Sequence, residues 1–194
     1  MERLPERIEA DGLLLRRWTV DDAASLARVV AENDEHLRPW MPWMAQEPMP
    51  FADRVALLSR WEQEWKDGGD AVFGVFHEGE VAGSCGLHRR IGPSGLELGY
   101  WIAKGHLRQG LATAVAEALT GAAFAVPGIE RVEIRHDRDN KASAGIPGNL
   151  NYEFVGERPS TAMAPAESGV EWVWRQEGTD SGEAAREGLG QAPT

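Results

Sequence analysis

The chain has 194 residues, a single cysteine and a formal net charge of -11 at pH 7. Such an acidic balance argues against binding to nucleic acid, and one cysteine excludes an internal disulfide framework. No run approaches the ~18 consecutive apolar residues of a membrane span, and the N-terminus lacks a signal-peptide pattern. The sequence therefore predicts a cytoplasmic protein without nucleic-acid or membrane partners.

The first third of the sequence predicts a strand and two helices. Residues 1–10 carry no pattern, and residues 12–18 read as a strand. Thr19 then caps a helix, and a second helix is predicted over residues 51–66. Between these helices, residues 33–44 hold two prolines and two tryptophans, which predicts an irregular segment that either covers a core or lines a pocket.

The middle of the sequence predicts an antiparallel meander that ends in a central strand. Residues 71–76 and 80–88 form a predicted hairpin, and a turn at residues 92–95 leads into the next strand. Leu96, Leu98, Tyr100 and Ile102 alternate there with Glu97, Gly99 and Trp101. This period of two indicates a strand with two distinct faces.

A glycine-containing turn and a long helix follow the central strand. The turn is Lys104 to Gly110, and the period then changes to helical spacing from Leu111 to Val126. Glycine lets the backbone approach a ligand closely, and the first turn of a helix offers unpaired N–H groups. A strand that ends in such a turn is suited to holding a diphosphate.

The C-terminal third completes the predicted fold. Residues 129–135 predict a strand parallel to an earlier one, because a helix separates the two. Asp139 or Asn140 begins a short helix, and residues 152–155 and 170–174 predict the last two strands. We expect one domain over residues 1–175 and a disordered tail over residues 176–194. The fold class is α/β (α+β mixed), with a mixed, mostly antiparallel sheet of about six or seven strands and helices on both faces.

Four stretches of this sequence resemble the GNAT superfamily of acyl-CoA-dependent N-acyltransferases, and more narrowly its Rim-type branch, which acetylates ribosomal-protein N-termini. They are LLLRRWTVDD from Leu13, NDEHLRPWMPW from Asn33, LGYWIAKGHLRQGLAT from Leu98 and DNKASAGIPGNLNYEF from Asp139. The resemblance covers roughly residues 10–175. It implies direct transfer of an acetyl group from acetyl-CoA to a primary amine, with no metal.

The resemblance also implies which residues hold acetyl-CoA. They are Ile102, Ala103, Lys104, Leu107, Arg108, Gln109, Gly110, Leu111, Ala112, Thr113, Asn140 and Ser143. Two positions depart from the family pattern. Leu107 stands where the family has Gln or Arg, and Asn151 replaces a glycine at a position where φ may be positive, which Asn tolerates best.

Direct transfer needs an acid and a base, and the sequence offers two candidates for each. Glu97 is the favoured base, directly or through a water, and His136 is the competing base because its pKa suits neutral pH. Ser143 is the implied acid that protonates the leaving thiolate, and Tyr152 is the second candidate for that role. An acidic residue that some Rim-type enzymes carry falls near Ala162 here and is missing.

The family architecture implies an acceptor pocket between the segment 33–43 and the final hairpin. Its predicted residues are Asn33, Leu37, Trp40, Trp43 and Trp101. The acceptor is either a peptide N-terminus or a small amine, and a homodimer is possible. Two other functions remain open, a non-catalytic acyl-CoA sensor or scaffold and a transferase for a longer acyl group such as succinyl.

Overall fold

A computed structural model describes residues 2–10 and 12–178 of the chain. Its centre is one eight-stranded sheet in the order β1-β2-β3-β4-β5-β6-β8-β7. The strands are β1 Arg7–Ala10, β2 Leu13–Arg17, β3 Ala71–His77, β4 Glu80–His88, β5 Gly95–Ile102, β6 Arg131–Asp137, β7 Glu153–Pro159 and β8 Val170–Glu177. All neighbouring strands are antiparallel except β5 and β6, which are parallel as predicted.

Five α-helices accompany the sheet within the part of the chain that the structure describes. They are α1 Ala23–Glu32, α2 Asp34–Leu37, α3 Phe51–Lys66, α4 Leu111–Phe124 and α5 Lys141–Asn149. In the segment predicted to be irregular, α2 is a single short turn, and a 3-10 turn follows at Pro42–Gln46. None of the helices in residues 2–10 and 12–178 is long and apolar enough to span a membrane.

The two faces of β5 pack into two separate hydrophobic clusters, which is why its sequence alternates. Leu96 and Leu98 are at most 1% exposed and contact the cluster that includes the apolar side of α4. Trp101 contacts the opposite cluster, to which α1 and α3 contribute Leu26 and Leu58. Helices therefore cover both faces of the sheet, as the sequence predicted.

Two of the predicted boundaries were wrong. Arg7–Ala10 was read as patternless but pairs with β2 and adds an eighth strand, with Ala10 opposite Leu13. Its pattern is weak because it is an edge strand with little buried surface. β8 continues to Glu177, two residues past the predicted end of the domain. The tail predicted to be disordered falls, from residue 179 onward, outside the described residues.

Strands β5 and β6 part halfway along their length. Their parallel pairing covers only Gly95–Leu98 opposite Arg131–Ile134. Beyond that point β5 stays paired with β4 as far as Ile102, and β6 stays paired with β8 as far as Asp137. A gap therefore opens in the middle of the sheet between two strands that remain firmly held on their outer sides.

Candidate active site

A cleft of about 610 Å³ lies at the gap between β5 and β6. Its walls include Glu97 to Trp101 from β5, Arg135 to Asp137 from β6, and Trp40 to Trp43 from the irregular segment. The N-terminal part of α5 closes one side with Asn140 and Ser143. Most of the candidate catalytic and acceptor-pocket residues thus meet in one place, although they come from distant parts of the sequence.

Backbone amides of β5 face this gap. The amide of Ala103 donates to Ala82 O on β4 at 2.8 Å. Since successive residues of a strand direct their amides to opposite sides, the amides of Tyr100 and Ile102 point toward β6, beyond the last β5–β6 pair. Donors fixed in this way can stabilise negative charge on a carbonyl oxygen.

The turn between β5 and α4 exposes a row of backbone N–H groups. Arg108 and Gly110 have positive φ values of 60° and 80°, and Gly110 caps α4 without a side-chain hydrogen bond. Among the described residues, no group accepts a hydrogen bond from the amides of Arg108 to Thr113. These donors and the positive end of the helix dipole fit the diphosphate of coenzyme A.

The beginning of the same turn is held by the protein itself. The amide of Lys104 donates to Asn33 Oδ1 at 2.6 Å, and the amide of Ala103 is already paired with β4. Neither amide is therefore open to a ligand, although both were predicted to bind the cofactor. Leu107, which was also predicted to bind the cofactor, is 38% exposed in the same turn.

Asn33 and Leu37 do not line the cleft, contrary to their predicted place in the acceptor pocket. Asn33 is 6% exposed and ties the end of α1 to the turn, since its side chain also donates to Val29 O at 2.7 Å. Leu37 is 2% exposed and belongs to the hydrophobic cluster under α1. Both residues support the site from the core.

The three predicted tryptophans do line the cleft. Trp40, Trp43 and Trp101 are all part of its wall, and the rings of Trp43 and Trp101 lie 6.2 Å apart at a tilt of 43°. This wall stands on the α1 and α3 face of the sheet. It offers a largely apolar surface to a molecule entering from that side.

Glu97 faces the cleft and is held by two arginines. Its carboxylate oxygens lie 3.3 Å from Arg135 Nη1 and 3.4 Å from Arg90 Nη1. Arg135 also pairs with the buried Glu133 at 2.7 Å, and Arg175 pairs with that same carboxylate. Glu97 is therefore a fixed carboxylate at the edge of an ionic cluster rather than a solvated surface group.

Both ring nitrogens of His136 are engaged. The Trp174 indole N–H donates to His136 Nε2 at 3.0 Å, so Nδ1 carries the proton and donates it to Asp137 O at 2.9 Å. Burial, which outweighs the nearby acidic groups, lowers the pKa of His136 below its usual value. His136 lines the cleft as a neutral ring whose lone pair is already used.

Ser143 and Tyr100 bring two hydroxyl groups to the α5 side of the cleft. The Asn140 side chain caps α5 by accepting from the Ser143 amide at 3.3 Å. The buried Tyr100 hydroxyl has no hydrogen-bond partner among the described residues. Burial raises the pKa of Tyr100. The nearby Ser143 hydroxyl offsets part of that rise, but it makes no hydrogen bond to the Tyr100 hydroxyl.

Tyr152, the second candidate acid, lies away from the cleft. It is 4% exposed, and its hydroxyl shares a hydrogen bond of 2.6 Å with Thr120 Oγ1 on α4. Burial raises the pKa of Tyr152 to about 12. The predicted positive φ before it is confirmed, because Asn151 has a φ of 60°.

One histidine of the cleft wall, His88, was not predicted from the sequence, and neither was its partner Asp70. His88 lies directly opposite Glu97 in the β4–β5 register, and its Nδ1 is 2.7 Å from Asp70 Oδ2. The predicted meander already implied that the ends of these strands meet across the 92–95 turn. Asp70 directly precedes β3, which pairs with the strand of His88. The strand order therefore indicated that the two residues are close, but no local motif did.

Comparison with known proteins agrees with the resemblance seen in the sequence. The family described as "Acetyltransferase (GNAT) domain" matches residues 12–153. The "Putative ribosomal N-acetyltransferase YdaF" of Bacillus subtilis (strain 168) is 28% identical over 147 residues, which cover 75% of this chain and 80% of that protein.

Two solved structures show the same fold. "RimL- Ribosomal L7/L12 alpha-N-protein acetyltransferase in complex with Coenzyme A" superposes with a TM-score of 0.79 at 18% identity, covering 91% of this chain and 98% of the other. "Microcin C7 self immunity acetyltransferase MccE in complex with Acetyl-CoA and AMP" has a TM-score of 0.79 at 16% identity, covering 87% and 93%. Among the described residues, no group of acidic, histidine or cysteine side chains is placed to hold a metal.

Proposed function

Because the chain belongs to the acetyltransferase (GNAT) domain family, we infer that it transfers the acetyl group of acetyl-CoA directly to a primary amine. Both substrates would bind before the transfer, and no acyl-enzyme would form. The observation that carries this proposal is the row of unpartnered amides from Arg108 to Thr113, next to a gap in the sheet that leads into the cleft. A diphosphate held there would direct the thioester toward that gap.

The gap supplies donors for the reacting carbonyl. With the thioester between β5 and β6, the amides of Tyr100 and Ile102 are the candidates to polarise its oxygen. Fixed backbone donors need no reorganisation as negative charge develops, so they favour the transition state over the substrate.

Ser143 is the proposed acid on the α5 side. It lines the cleft next to Asn140, and the Tyr100 hydroxyl lies nearby without a partner. Proton delivery to the departing thiolate would come from Ser143, with Tyr100 replacing Tyr152 as the second candidate. Tyr152 is a poor donor because its hydroxyl is buried against Thr120.

Glu97 is the better supported of the two predicted bases. It lines the cleft on the face that carries the tryptophan wall, whereas the His136 lone pair is occupied by Trp174. An acceptor ammonium arriving on that face would meet the Glu97 carboxylate. Glu97 would hold the ammonium there, and the proton would pass to Glu97 itself or to another group on the same face of the cleft.

The acceptor is proposed to be the N-terminal amine of a peptide or a small-molecule amine. A relative is named as a ribosomal N-acetyltransferase, and the structural neighbours include a protein N-terminal acetyltransferase and a microcin immunity acetyltransferase. The wall of Trp40, Trp43 and Trp101 suits an acceptor with apolar surface beside the amine.

The setting and assembly are also proposals. The single buried Cys85 fits a reducing compartment such as the cytoplasm. A homodimer through the outer strand β7 is supported by Phe154 and Val155, which are 48% and 52% exposed at the sheet edge. Sedimentation of the purified protein would show a monomer if this part of the proposal is wrong.

Calorimetry with acetyl-CoA, followed by a thiol-release assay, tests the proposed reaction. The acceptors would be peptides that differ in their N-terminal residue, together with small primary amines. We expect saturable binding and thiol release with at least one acceptor. Binding without release from any acceptor would favour the non-catalytic sensor, and release from succinyl-CoA in preference to acetyl-CoA would favour the longer-acyl transferase.

A further inference from the structure

His88 lines the cleft and is hydrogen-bonded to Asp70. His88 Nδ1 lies 2.7 Å from Asp70 Oδ2, and the other carboxylate oxygen accepts from the Arg89 amide at 2.8 Å. The two side chains are 16% and 27% exposed. The carboxylate is thus fixed by two donors, and the imidazole is fixed by the carboxylate.

The His88 ring rests on a floor made by two glycines. Gly86 on β4 and Gly99 on β5 are directly opposite each other in the register. A Cβ added to Gly86 would stand 2.8 Å from His88 Nε2, and one added to Gly99 would stand 3.7 Å from it. The ring can occupy this space because Gly86 has no side chain, whereas 3.7 Å at Gly99 is an ordinary van der Waals contact.

The tautomer of His88 follows from its neighbours. Burial alone would raise the pKa of Asp70, but the hydrogen bonds from His88 and the Arg89 amide hold it below its usual value, so the carboxylate is ionised. An ionised carboxylate at 2.7 Å requires a proton on Nδ1. Arg90 Nη2 lies 3.1 Å from the same nitrogen, but a guanidinium can only donate and therefore makes no hydrogen bond to a protonated Nδ1.

The other ring nitrogen is then an open acceptor. In the neutral ring with its proton on Nδ1, Nε2 carries a lone pair, and no group in the described part of the chain donates to it. This is the reverse of His136, whose Nε2 accepts from Trp174. His88 is therefore the ring in the cleft with an available lone pair, on the same face as Glu97 and Trp101.

We propose that His88, oriented by Asp70, is the catalytic residue that accepts the proton of the acceptor ammonium. This inference rests on the proposed function. His88 Nε2 takes one proton from the ammonium, and the neutral amine nitrogen bonds to the acetyl carbonyl carbon while the C–S bond breaks. The nitrogen loses a second proton as the amide forms, and the departing thiolate gains one through Ser143. The imidazolium returns its proton to solvent, so one proton is released in each turnover.

Glu97 and Asp70 have supporting roles in this scheme. Glu97 lies opposite His88 and faces the same acceptor, so its carboxylate would attract and place the ammonium. Asp70 touches no substrate and is a positioning residue. It fixes the Nδ1–H tautomer and stabilises the imidazolium that forms, which are the two tasks of an orienting carboxylate.

The test compares His88→Gln, His88→Ala and Asp70→Asn with two matched controls. His77→Gln changes a histidine outside the cleft. Asp67→Asn changes an aspartate at the end of α3 whose side chain accepts one hydrogen bond, from Gln63, among the described residues. The kcat and acceptor KM are measured by thiol release, with the peptide or amine that the wild-type protein uses best. Calorimetry gives the Kd of acetyl-CoA for each variant.

We expect both His88 variants to lose about 100-fold in kcat, with the acetyl-CoA Kd changed less than about twofold. Added imidazole should restore part of the rate of His88→Ala but not that of Asp70→Asn. Asp70→Asn should lose about tenfold in kcat at an unchanged acceptor KM, and the controls should match the wild type.

Three results would count against the proposal. Either His88 variant within about threefold of the wild-type kcat overturns it, and so does a loss that imidazole does not relieve, which would indicate a structural role. Wild-type protein that binds acetyl-CoA but releases no thiol with any acceptor refutes the proposed function itself, and the role of His88 with it.

Discussion

At the residue scale, the cleft depends on charged side chains that are buried in pairs. Arg54, 3% exposed, pairs with Glu47, 9% exposed, in the wall beside the tryptophans. Two charges removed from water are tolerated because each neutralises the other, and loss of one leaves the other without compensation. The pair therefore fixes the position of α3 relative to the irregular segment.

Glu47→Gln should reduce the free energy of unfolding by about 3 kcal/mol, because it leaves the Arg54 guanidinium buried without a counter-charge. Urea denaturation measures the change. The matched control is Glu32→Gln, which removes a partner of Arg28 from a pair whose side chains are 56% and 63% exposed. The control should lose less than about 0.5 kcal/mol, and equal losses would show that burial of the Glu47 pair has no special importance.

At the element scale, the antiparallel pair of β4 and β5 is packed so closely that one of its glycines has no substitute. A Cβ on Gly83 would lie 2.2 Å from Trp101 O, which is backbone and cannot turn aside. A Cβ on Gly99 would come no nearer than 3.7 Å to any atom, an ordinary contact. Gly83 thus faces the backbone of the neighbouring strand, whereas the nearest atoms to Gly99 belong to the His88 side chain.

Gly83→Ala should therefore destabilise the protein by more than about 2 kcal/mol, while Gly99→Ala should cost less than about 1 kcal/mol. Thermal and urea denaturation of both variants checks the difference. If Gly83→Ala proves as stable as Gly99→Ala, β4 and β5 do not approach each other as closely as described.

Element periodicity explains which parts of this fold could be predicted. The central strand and α4 follow from local alternation and helical spacing, because each buries its own apolar face. β1 was missed because an edge strand buries little surface. The role of Asn33 could not be found because its partner, Lys104, is 71 residues away.

The candidate site, like the fold, could be predicted only in part from the sequence. The segments that surround the cleft were identified through their resemblance to a family, and Glu97, Ser143 and the three tryptophans all line it. Tyr152 lies elsewhere, because a motif does not tell which way a side chain points. His88 depends on strand register, which no single stretch of sequence encodes.

At the scale of the whole molecule, buried titratable groups should set the pH range of stability. Burial lowers the pKa of His136, so on acidification below about pH 6.5 the unfolded chain takes up the proton first and stability is lost. Burial raises the pKa of Cys85 and raises that of Tyr152 to about 12. The unfolded chain therefore loses the Cys85 proton first above about pH 8.5 and the Tyr152 proton first above about pH 10, and stability again falls.

The free energy of unfolding should accordingly be highest between about pH 7 and pH 8.5, as measured by urea denaturation across the range. Cys85→Ala should move the beginning of the alkaline decline toward about pH 10, the ordinary range of a tyrosine. His136→Gln should flatten the slope between about pH 5 and pH 7. Unchanged profiles in both variants would contradict the burial of these groups.

The central claim is that the amides from Arg108 to Thr113 grip the diphosphate of coenzyme A and so deliver the thioester to the gap between β5 and β6. This can be measured by titrating the nitrogen-15-labelled protein with acetyl-CoA and following its amides by NMR. We expect the largest amide shifts on residues 108–113, with further shifts at Tyr100 and Ile102. Saturable binding that leaves those amides unmoved and shifts another surface would contradict it.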